Sequence, residues 1–366
     1  MSILLREIGY KLLLTSILVF QIVDAHAGLS EPDSARQKII FEPLPIVSYD
    51  TDTGFGYGVK AFLLNLFTWR ESFDLILFNS TKGERWYRFV FSIPDFELRQ
   101  GTVYPLAFDL VTDYDKYVAR SFFGIGSGSR YEDREKYTRR DIELSPTFTS
   151  GIHSHLIAQI GYRYKDVYSY NFDPKGAIKD LPASQHLPEI TNHSIFFRLR
   201  YDTRNSYIDP DSGSVLLGEI EITSGTTKYL RWAFWYQHYF TIFFKQTVFA
   251  YRLGLEGLNG NNLPFQVLLP IGGNRSLRGY PQDRYLDKIR GLINLELRFP
   301  LLGNLGAIAG LDLGKVWPTA GSINLKNWPL SLVAGLRYFF KTYIVRLDAG
   351  FSPETFGLYF NFGHIF

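Results

Sequence analysis

Apolar and polar residues alternate along much of this chain. Between residues 55 and 61, Phe55, Tyr57 and Val59 share one parity, while Gly56 and Gly58 occupy the other. Because successive side chains of a β-strand point to opposite faces, this alternation predicts strands with one apolar and one polar face. A series of such strands is typical of a transmembrane β-barrel, whose apolar face meets lipid. The alternation recurs at 152–160, 293–299 and 344–349.

A soluble β-sandwich would show the same alternation, because the apolar faces of its two sheets pack together. Three features favour the membrane: the aromatic content, the N-terminus and the C-terminus. Aromatic residues make up 17% of the chain, with 31 Phe and 24 Tyr, which suits aromatic girdles at two membrane interfaces. After the N-terminus, no uncharged apolar stretch reaches the length of a transmembrane helix.

The N-terminus has the form of a signal peptide. Arg6 and Lys11 give a basic start, residues 12–23 form a mainly apolar core, and Ala25 and Ala27 frame a small-residue cleavage site. A short signal anchor is the alternative interpretation. The polar stretch that follows is too short for a folded domain. We predict a signal peptide over 1–27, a short periplasmic lead-in over 28–40 and an outer-membrane β-barrel over 41–366.

The end of the chain resembles the closing strand of a barrel. His364 departs from its pattern, because an aromatic or aliphatic residue would be more usual there. At about 20 residues per strand and loop, the exported chain accommodates roughly 16 strands, with 14 or 18 as alternatives. We therefore predict an all-β fold, a transmembrane antiparallel β-barrel of 16 strands. The apolar parity of the last strand comprises Leu358, Phe360, Phe362 and Phe366.

The segment Gly272–Tyr280 combines three glycines, Arg278 and an aromatic residue. Glycines permit close approach of the backbone, and an arginine in a confined space needs carboxylate partners. Glu296, on the polar face of 293–299, and Asp312 are the candidates. We predict that the loop folds back into the barrel, where Arg278 reaches these carboxylates. A glycine-rich surface turn with an incidental arginine is the alternative.

Composition and motifs exclude several other classes of protein. The net charge of +3 is small and the basic residues are scattered, which does not favour nucleic acid binding. The chain has no cysteine, so it offers no thiolate metal ligand. No nucleophile elbow, zinc-binding helix, P-loop or dinucleotide-binding motif occurs, and we expect neither an enzyme nor a cofactor. His153 and His155 are better interpreted as a hydrated lumen pair than as a metal site.

Gly272–Tyr280 resembles the arginine–glycine–aromatic loop of the bacterial surface antigen superfamily, which includes outer-membrane assembly factors of the BamA and TamA kind. The resemblance covers roughly residues 43–366. It implies that Arg278 enters the lumen, pairs with Glu296 and Asp312, and has Gly279 and Tyr280 beside it. Further similar stretches are 45–49, 53–56, 201–205, 294–300 and 311–317.

Superfamily members that fold or secrete other proteins carry periplasmic polypeptide-transport domains, which the lead-in over 28–40 is too short to hold. The resemblance therefore implies a separate periplasmic partner, either a chaperone or a protein with such domains. Other expected partners are outer-membrane lipid and client proteins.

Three functions fit these observations. The first is insertion, assembly or translocation of proteins or lipids through a lateral seam, and the others are a passive pore and a structural binding barrel with 165–190 as its face. Glycines inside a strand weaken pairing. The predicted seam joins a first strand containing Gly54, Gly56 and Gly58 to a last strand containing Phe360, Phe362 and Phe366.

Overall fold

The computed structural model describes residues 39–242, 246–340 and 343–366. Within these ranges sixteen strands close into one antiparallel barrel, and two short strands form a separate sheet. The predicted all-β, 16-stranded barrel is therefore confirmed. The predicted signal peptide and nearly all of the lead-in lie outside the described residues. No helix in the described ranges is both long and apolar enough to cross a membrane.

The strands alternate in direction around the barrel, and the first and last strands meet to close it. The two short strands pair with each other, while the barrel strands before and after them pair directly. The barrel strands are β1 (Ile40–Asp50), β2 (Gly54–Leu64), β3 (Ser72–Ser80), β4 (Arg85–Ile93), β5 (Tyr104–Phe122), β6 (Glu135–His153), β7 (Leu156–Tyr170), β8 (Glu189–Asp202), β9 (Gly213–Gly225), β10 (Tyr229–Thr241), β11 (Val248–Asn259), β14 (Ile289–Leu302), β15 (Leu305–Trp317), β16 (Leu330–Phe339), β17 (Ile344–Phe351) and β18 (Phe356–Phe362); the separate pair is β12 (Leu269–Ile271) and β13 (Tyr285–Asp287).

The alternation in the sequence sets the two faces of the wall. Phe55, Tyr57 and Val59 on β2 are exposed on the outside, whereas Glu296 and Asp348 are fully buried inside. One-sided exposure of large apolar side chains is what a wall in contact with lipid requires.

The connections between strands distinguish the two rims of the barrel. The four longest connections all lie at the rim that also holds the β1–β2 and β17–β18 turns. Outer-membrane barrels have short periplasmic turns and longer extracellular loops. We therefore call this the outer rim, and the opposite, periplasmic one the inner rim. The long connections span 123–134, 171–188, 260–288 and 318–329.

The segment 260–288 leaves the wall between β11 and β14 and folds into the barrel. Nearer the outer rim, an apolar cluster joins its Phe265 to Ile178 of the 171–188 loop and Phe122 at the end of β5. This cluster and the in-folded segment together occupy the outer part of the lumen.

The wall is weakest where it closes. β1 and β18 share two Cα partner pairs, Tyr49 with Phe360 and Asp50 with Tyr359. By contrast, β1 and β2 are paired along their whole length, from Ile40 with Leu64 onward. The inner half of β1 therefore has an edge that β18 does not cover.

The chain after β18 turns into the lumen. Gly363 has a φ of 72°, and its N–H donates to the Ile344 carbonyl at 2.8 Å. The ring of Phe366 lies 5.2 Å from the guanidinium carbons of both Arg252 and Arg298. The prediction that the closing strand runs to Phe366 is therefore wrong, because these cations hold the aromatic ring inside the barrel.

Candidate functional site

The site is built around the tip of the in-folded segment. The Gly273 N–H donates to the Tyr280 carbonyl at 3.0 Å, which closes a compact loop. The Ser276 hydroxyl bonds both the N–H and the carbonyl of Gly272, at 2.9 and 2.8 Å. These bonds satisfy several backbone groups within the loop, which lowers the cost of burying them.

Arg278 at the tip is completely buried and contacts three carboxylates. Its Nε and Nη2 donate to the two oxygens of Asp312, at 2.8 and 2.9 Å. Its Nη1 donates to Glu296 at 2.9 Å and to Asp348 at 3.0 Å. The structure thus brings together the arginine and both acids named from the sequence, and adds Asp348. A guanidinium fork held this way is fixed in position and direction.

The three acids come from three strands. Register places Asn294, two residues before Glu296, opposite Asp312, and places Gly335 on β16 opposite Asp348. Sequence reasoning missed Asp348, although its parity indicates the lumen: Arg346 and Asp348 alternate with apolar neighbours on β17.

Further arginines surround the carboxylates. Arg298 donates to Glu296 at 3.0 Å, while Arg337 and Arg346 donate to Asp348. Each of these side chains is almost fully buried. Backbone carbonyls take other guanidinium bonds, including one from Arg298 to the Phe366 carbonyl at 3.0 Å. The result is a buried, charge-assisted network that ties the loop to β14, β15 and β17.

Gly279 allows the tip to reach the wall. Its φ is 93°, and a Cβ there would lie 2.7 Å from the carbonyl carbon of Gly350. A side chain would therefore clash and would also adopt an unfavourable backbone conformation. The Gly279 N–H donates to the hydroxyl of Tyr359 on β18 at 3.0 Å.

Tyr280 lies in a small apolar cluster formed mainly by the loop itself. Its ring centroid is 5.8 Å from that of Tyr285, and Leu277 and Val316 complete the contacts with Ile271. This cluster packs the loop against β15 through Val316.

The loop also contacts both sides of the seam. On the β18 side, Gly279 contacts Tyr359, as described above. On the β1 side, the Gln282 N–H donates to Asp52 in the β1–β2 turn at 2.9 Å. Burial, reinforced by nearby Asp50, raises the pKa of the Asp52 carboxyl to about 7. The loop therefore bridges the outer end of the seam from inside.

The predicted seam residues fall in three places. Phe360 pairs with Tyr49 across the seam, whereas Phe362 lies beyond the β1 register and pairs with Val345. Phe366 lies in the lumen, as described above.

The seam glycines are on the second barrel strand, so their assignment to the first strand is wrong. Gly54, Gly56 and Gly58 belong to β2, one strand away from β18. A Cβ at Gly56 would lie 2.2 Å from the ring of Phe78, so this glycine makes room for a lumen aromatic.

Two prolines on β1 remove hydrogen-bond donors from the strand edge at the seam. Thr51 donates its N–H to Leu358 on β18. In a regular strand, residues of one parity direct their N–H groups to the same side. Pro43 and Pro45 share the parity of Thr51 and have no N–H, so the uncovered half of β1 lacks two donors toward β18.

Comparisons with known proteins agree with this architecture. A match to the Omp85 superfamily domain covers residues 76–363. The structure resembles BamA from Haemophilus ducreyi lacking POTRA domains 1–3, with TM-score 0.66 and 16% identity over 89% of this chain and 70% of that one. No curated protein sequence matches significantly.

Two further solved structures are similar. CdiB from Acinetobacter baumannii matches with TM-score 0.57 and 15% identity, over 89% of this chain and 60% of that one. CdiB from Escherichia coli matches with TM-score 0.58 and 12% identity, over 92% of this chain and 63% of that one. This chain therefore spans less than two thirds of either CdiB chain.

Fold and lumen network together define a bacterial outer-membrane β-barrel with an in-folded arginine loop. The chain belongs to the Omp85 superfamily. The resemblance to barrels of the BamA kind is thereby confirmed.

Proposed function

We propose that this barrel handles other polypeptides at the outer membrane, inserting or translocating them through a lateral opening between β1 and β18. A separate periplasmic partner delivers the client to the inner rim. The observation that supports this proposal is the two-pair register of Tyr49 and Asp50 with β18, beside strands paired along their length.

The uncovered edge of β1 suits transient pairing with a client strand. An exposed strand edge presents carbonyls and N–H groups that can recruit an added strand. The missing donors of Pro43 and Pro45 keep such pairing weak. Weak pairing favours release of the client strand, and a barrel that inserts other proteins must release them.

The arginine loop would set the energy needed to open the seam. It is anchored on β14, β15 and β17 through Arg278, and it contacts Tyr359 and Asp52 on the two sides of the seam. Opening would break the Asp52 contact while leaving the Arg278 network intact. Because the in-folded segment also occupies the outer lumen, we favour lateral opening over a passive pore.

A locked seam tests the proposal. The chain has no cysteine, so Tyr49→Cys with Phe360→Cys would create a single disulfide across the seam. A photo-crosslinking side chain replaces Val47, which is exposed on the outside of β1. In native membranes we expect crosslinks to other polypeptide chains in the reduced barrel and their loss on oxidation.

The matched control places the disulfide in a fully paired part of the wall, with Leu336→Cys and Leu347→Cys on β16 and β17. Oxidation of this control should leave the crosslinks unchanged. Crosslinks to lipid alone, or equal polypeptide crosslinks with the seam locked, would refute lateral handling of clients.

A further inference from the structure

The turn between β2 and β3, residues 65–71, exposes apolar side chains at the inner rim. Phe67 is 55% exposed and Trp69 is 66% exposed, and Leu66 beside them is also exposed. Large apolar residues clustered on a turn are not explained by barrel closure, because this turn joins two strands that already pair fully. Such clusters mark contact surfaces.

The turn holds this shape at a cost in backbone strain. Asn65, Thr68 and Arg70 all have positive φ, between 60° and 64°, although none is glycine. For a β-branched residue such as Thr68 this conformation is a genuine outlier. Strained conformations of this kind concentrate at functional sites.

A buried carboxylate stabilises the strained turn. Glu71 is completely buried, and its two oxygens accept the N–H groups of Phe67 at 2.5 Å and Trp69 at 2.9 Å. The Asn65 side chain accepts the Arg70 N–H at 3.1 Å. The polar backbone is thereby satisfied inside the turn, while the apolar side chains are directed outward.

The exposed turn continues the lipid-facing wall of the barrel. The ring of Phe67 lies 6.1 Å from that of Phe73, which shares the outward parity of Leu75 and Leu77 on β3. Ring contacts continue along the outside of β4, β5 and β6 through Phe91, Phe108 and Phe148. These rings lie on the outside of the barrel wall, where they contact lipid. Because the turn is continuous with them, lipid can also contact the turn.

We propose that residues 65–71 form a membrane foot that inserts into the interfacial region of the periplasmic leaflet. Phe67 and Leu66 enter the acyl boundary, and Trp69 lies at headgroup depth, where its amphipathic ring is favoured. Exposed Arg70 is placed to meet a lipid phosphate. The foot fixes the depth of the hairpin next to the uncovered half of β1, whether or not the seam opens.

Spin labels test this placement. Because the chain has no cysteine, Trp69→Cys gives one label site, and the references are Leu77→Cys on the lipid-facing wall and Leu325→Cys in the outer 318–329 loop. Each labelled barrel is folded into phosphatidylcholine vesicles. Collisions with oxygen and with a water-soluble nickel complex are then compared.

We expect the label at position 69 to collide more with oxygen and less with nickel than the label at position 325. Accessibility equal to that of position 325 would overturn the proposal and leave the turn free for a soluble periplasmic protein.

A second measurement avoids the label. The variant Phe67→Ser with Trp69→Ser should fold into the same vesicles several-fold more slowly than the unaltered chain, while Leu325→Ser should fold at the unaltered rate. An unchanged rate for the double variant would also overturn the proposal.

Discussion

At the scale of single residues, Arg278 is the centre of a buried cluster of ion pairs. It is fully buried with three carboxylates around it, and each of those carboxylates is itself fully buried. Taking charges out of water is costly, so such a group is stable only when its partners and hydrogen bonds are complete. Lysine would be a poor substitute for Arg278, because an ammonium group cannot form the two parallel hydrogen bonds that the guanidinium makes to Asp312.

Arg278→Ala should destabilise the barrel by about 3–5 kcal/mol, because it leaves buried carboxylates without their shared cation. The measurement is the urea midpoint of unfolding in vesicles, together with heat-modifiable migration on gels. The control is Arg130→Ala, which breaks an exposed ion pair with Asp133 in the outer 123–134 loop and should leave both readouts unchanged. Wild-type stability of Arg278→Ala would mean that the network is unimportant.

Asp52 gives the seam a dependence on pH. Burial raises the pKa of its carboxyl from 3.8 to about 7 in the folded barrel. The folded state therefore binds this proton more tightly than the unfolded state, and the stabilisation is complete below about pH 4. It is lost as the pH rises through 7, when Asp52 becomes charged beside Asp50.

We expect the free energy of unfolding of wild type, relative to Asp52→Asn, to fall between pH 4 and pH 8. Unfolding in urea at a series of pH values measures this difference, and taking the difference removes the contribution of groups that do not interact with Asp52. A difference that is constant over this range would contradict the assignment.

At the scale of elements, the closing strands differ from the rest of the wall. The other neighbouring strands of the barrel share at least seven Cα pairs each, whereas β1 and β18 share two near the outer rim. In the register set by Tyr49 and Phe360, the two prolines of β1 lie opposite residues 364 and 366. The chain turns into the lumen at Gly363, before those positions, so β18 leaves the inner half of β1 unpaired.

Replacing both prolines should strengthen the pairing of a client strand with the uncovered edge of β1. In the double variant Pro43→Ala with Pro45→Ala, two restored N–H groups become available to a client strand. Crosslinking from Val47 to other polypeptides in native membranes should therefore increase. Pro300→Ala, near the inner end of β14, is the matched control and should leave this crosslinking unchanged. Unchanged crosslinking in the double variant would show that the prolines do not limit pairing.

At the scale of the whole molecule, much of the architecture follows from periodicity. A barrel wall is a single sheet with lipid outside and a charged lumen inside, so polar and apolar residues must alternate along its strands. This alternation can be recognised in the sequence. It predicted the fold class and the parity of Glu296 and Asp312, while the strand number came from the length of the chain. The same rule, applied to β17, would also have found Asp348.

The seam could not be located in this way. The sequence pattern places 45–49 and 53–56 together in one first strand, whereas the structure divides them between β1 and β2, with a turn at 51–53. Which strand comes first depends on pairing around the closed ring. A local pattern carries no information about pairing between residues more than three hundred positions apart.

The sequence by itself indicated a lipid-facing barrel and named Arg278, Glu296 and Asp312 as candidate partners, because side-chain parity and charge are local properties. Only the tertiary structure decided that three acids share Arg278, that the loop bridges both sides of a two-pair seam, and that Phe366 lies in the lumen. These features depend on barrel closure, which brings distant residues into contact and sets which charges are shielded from water.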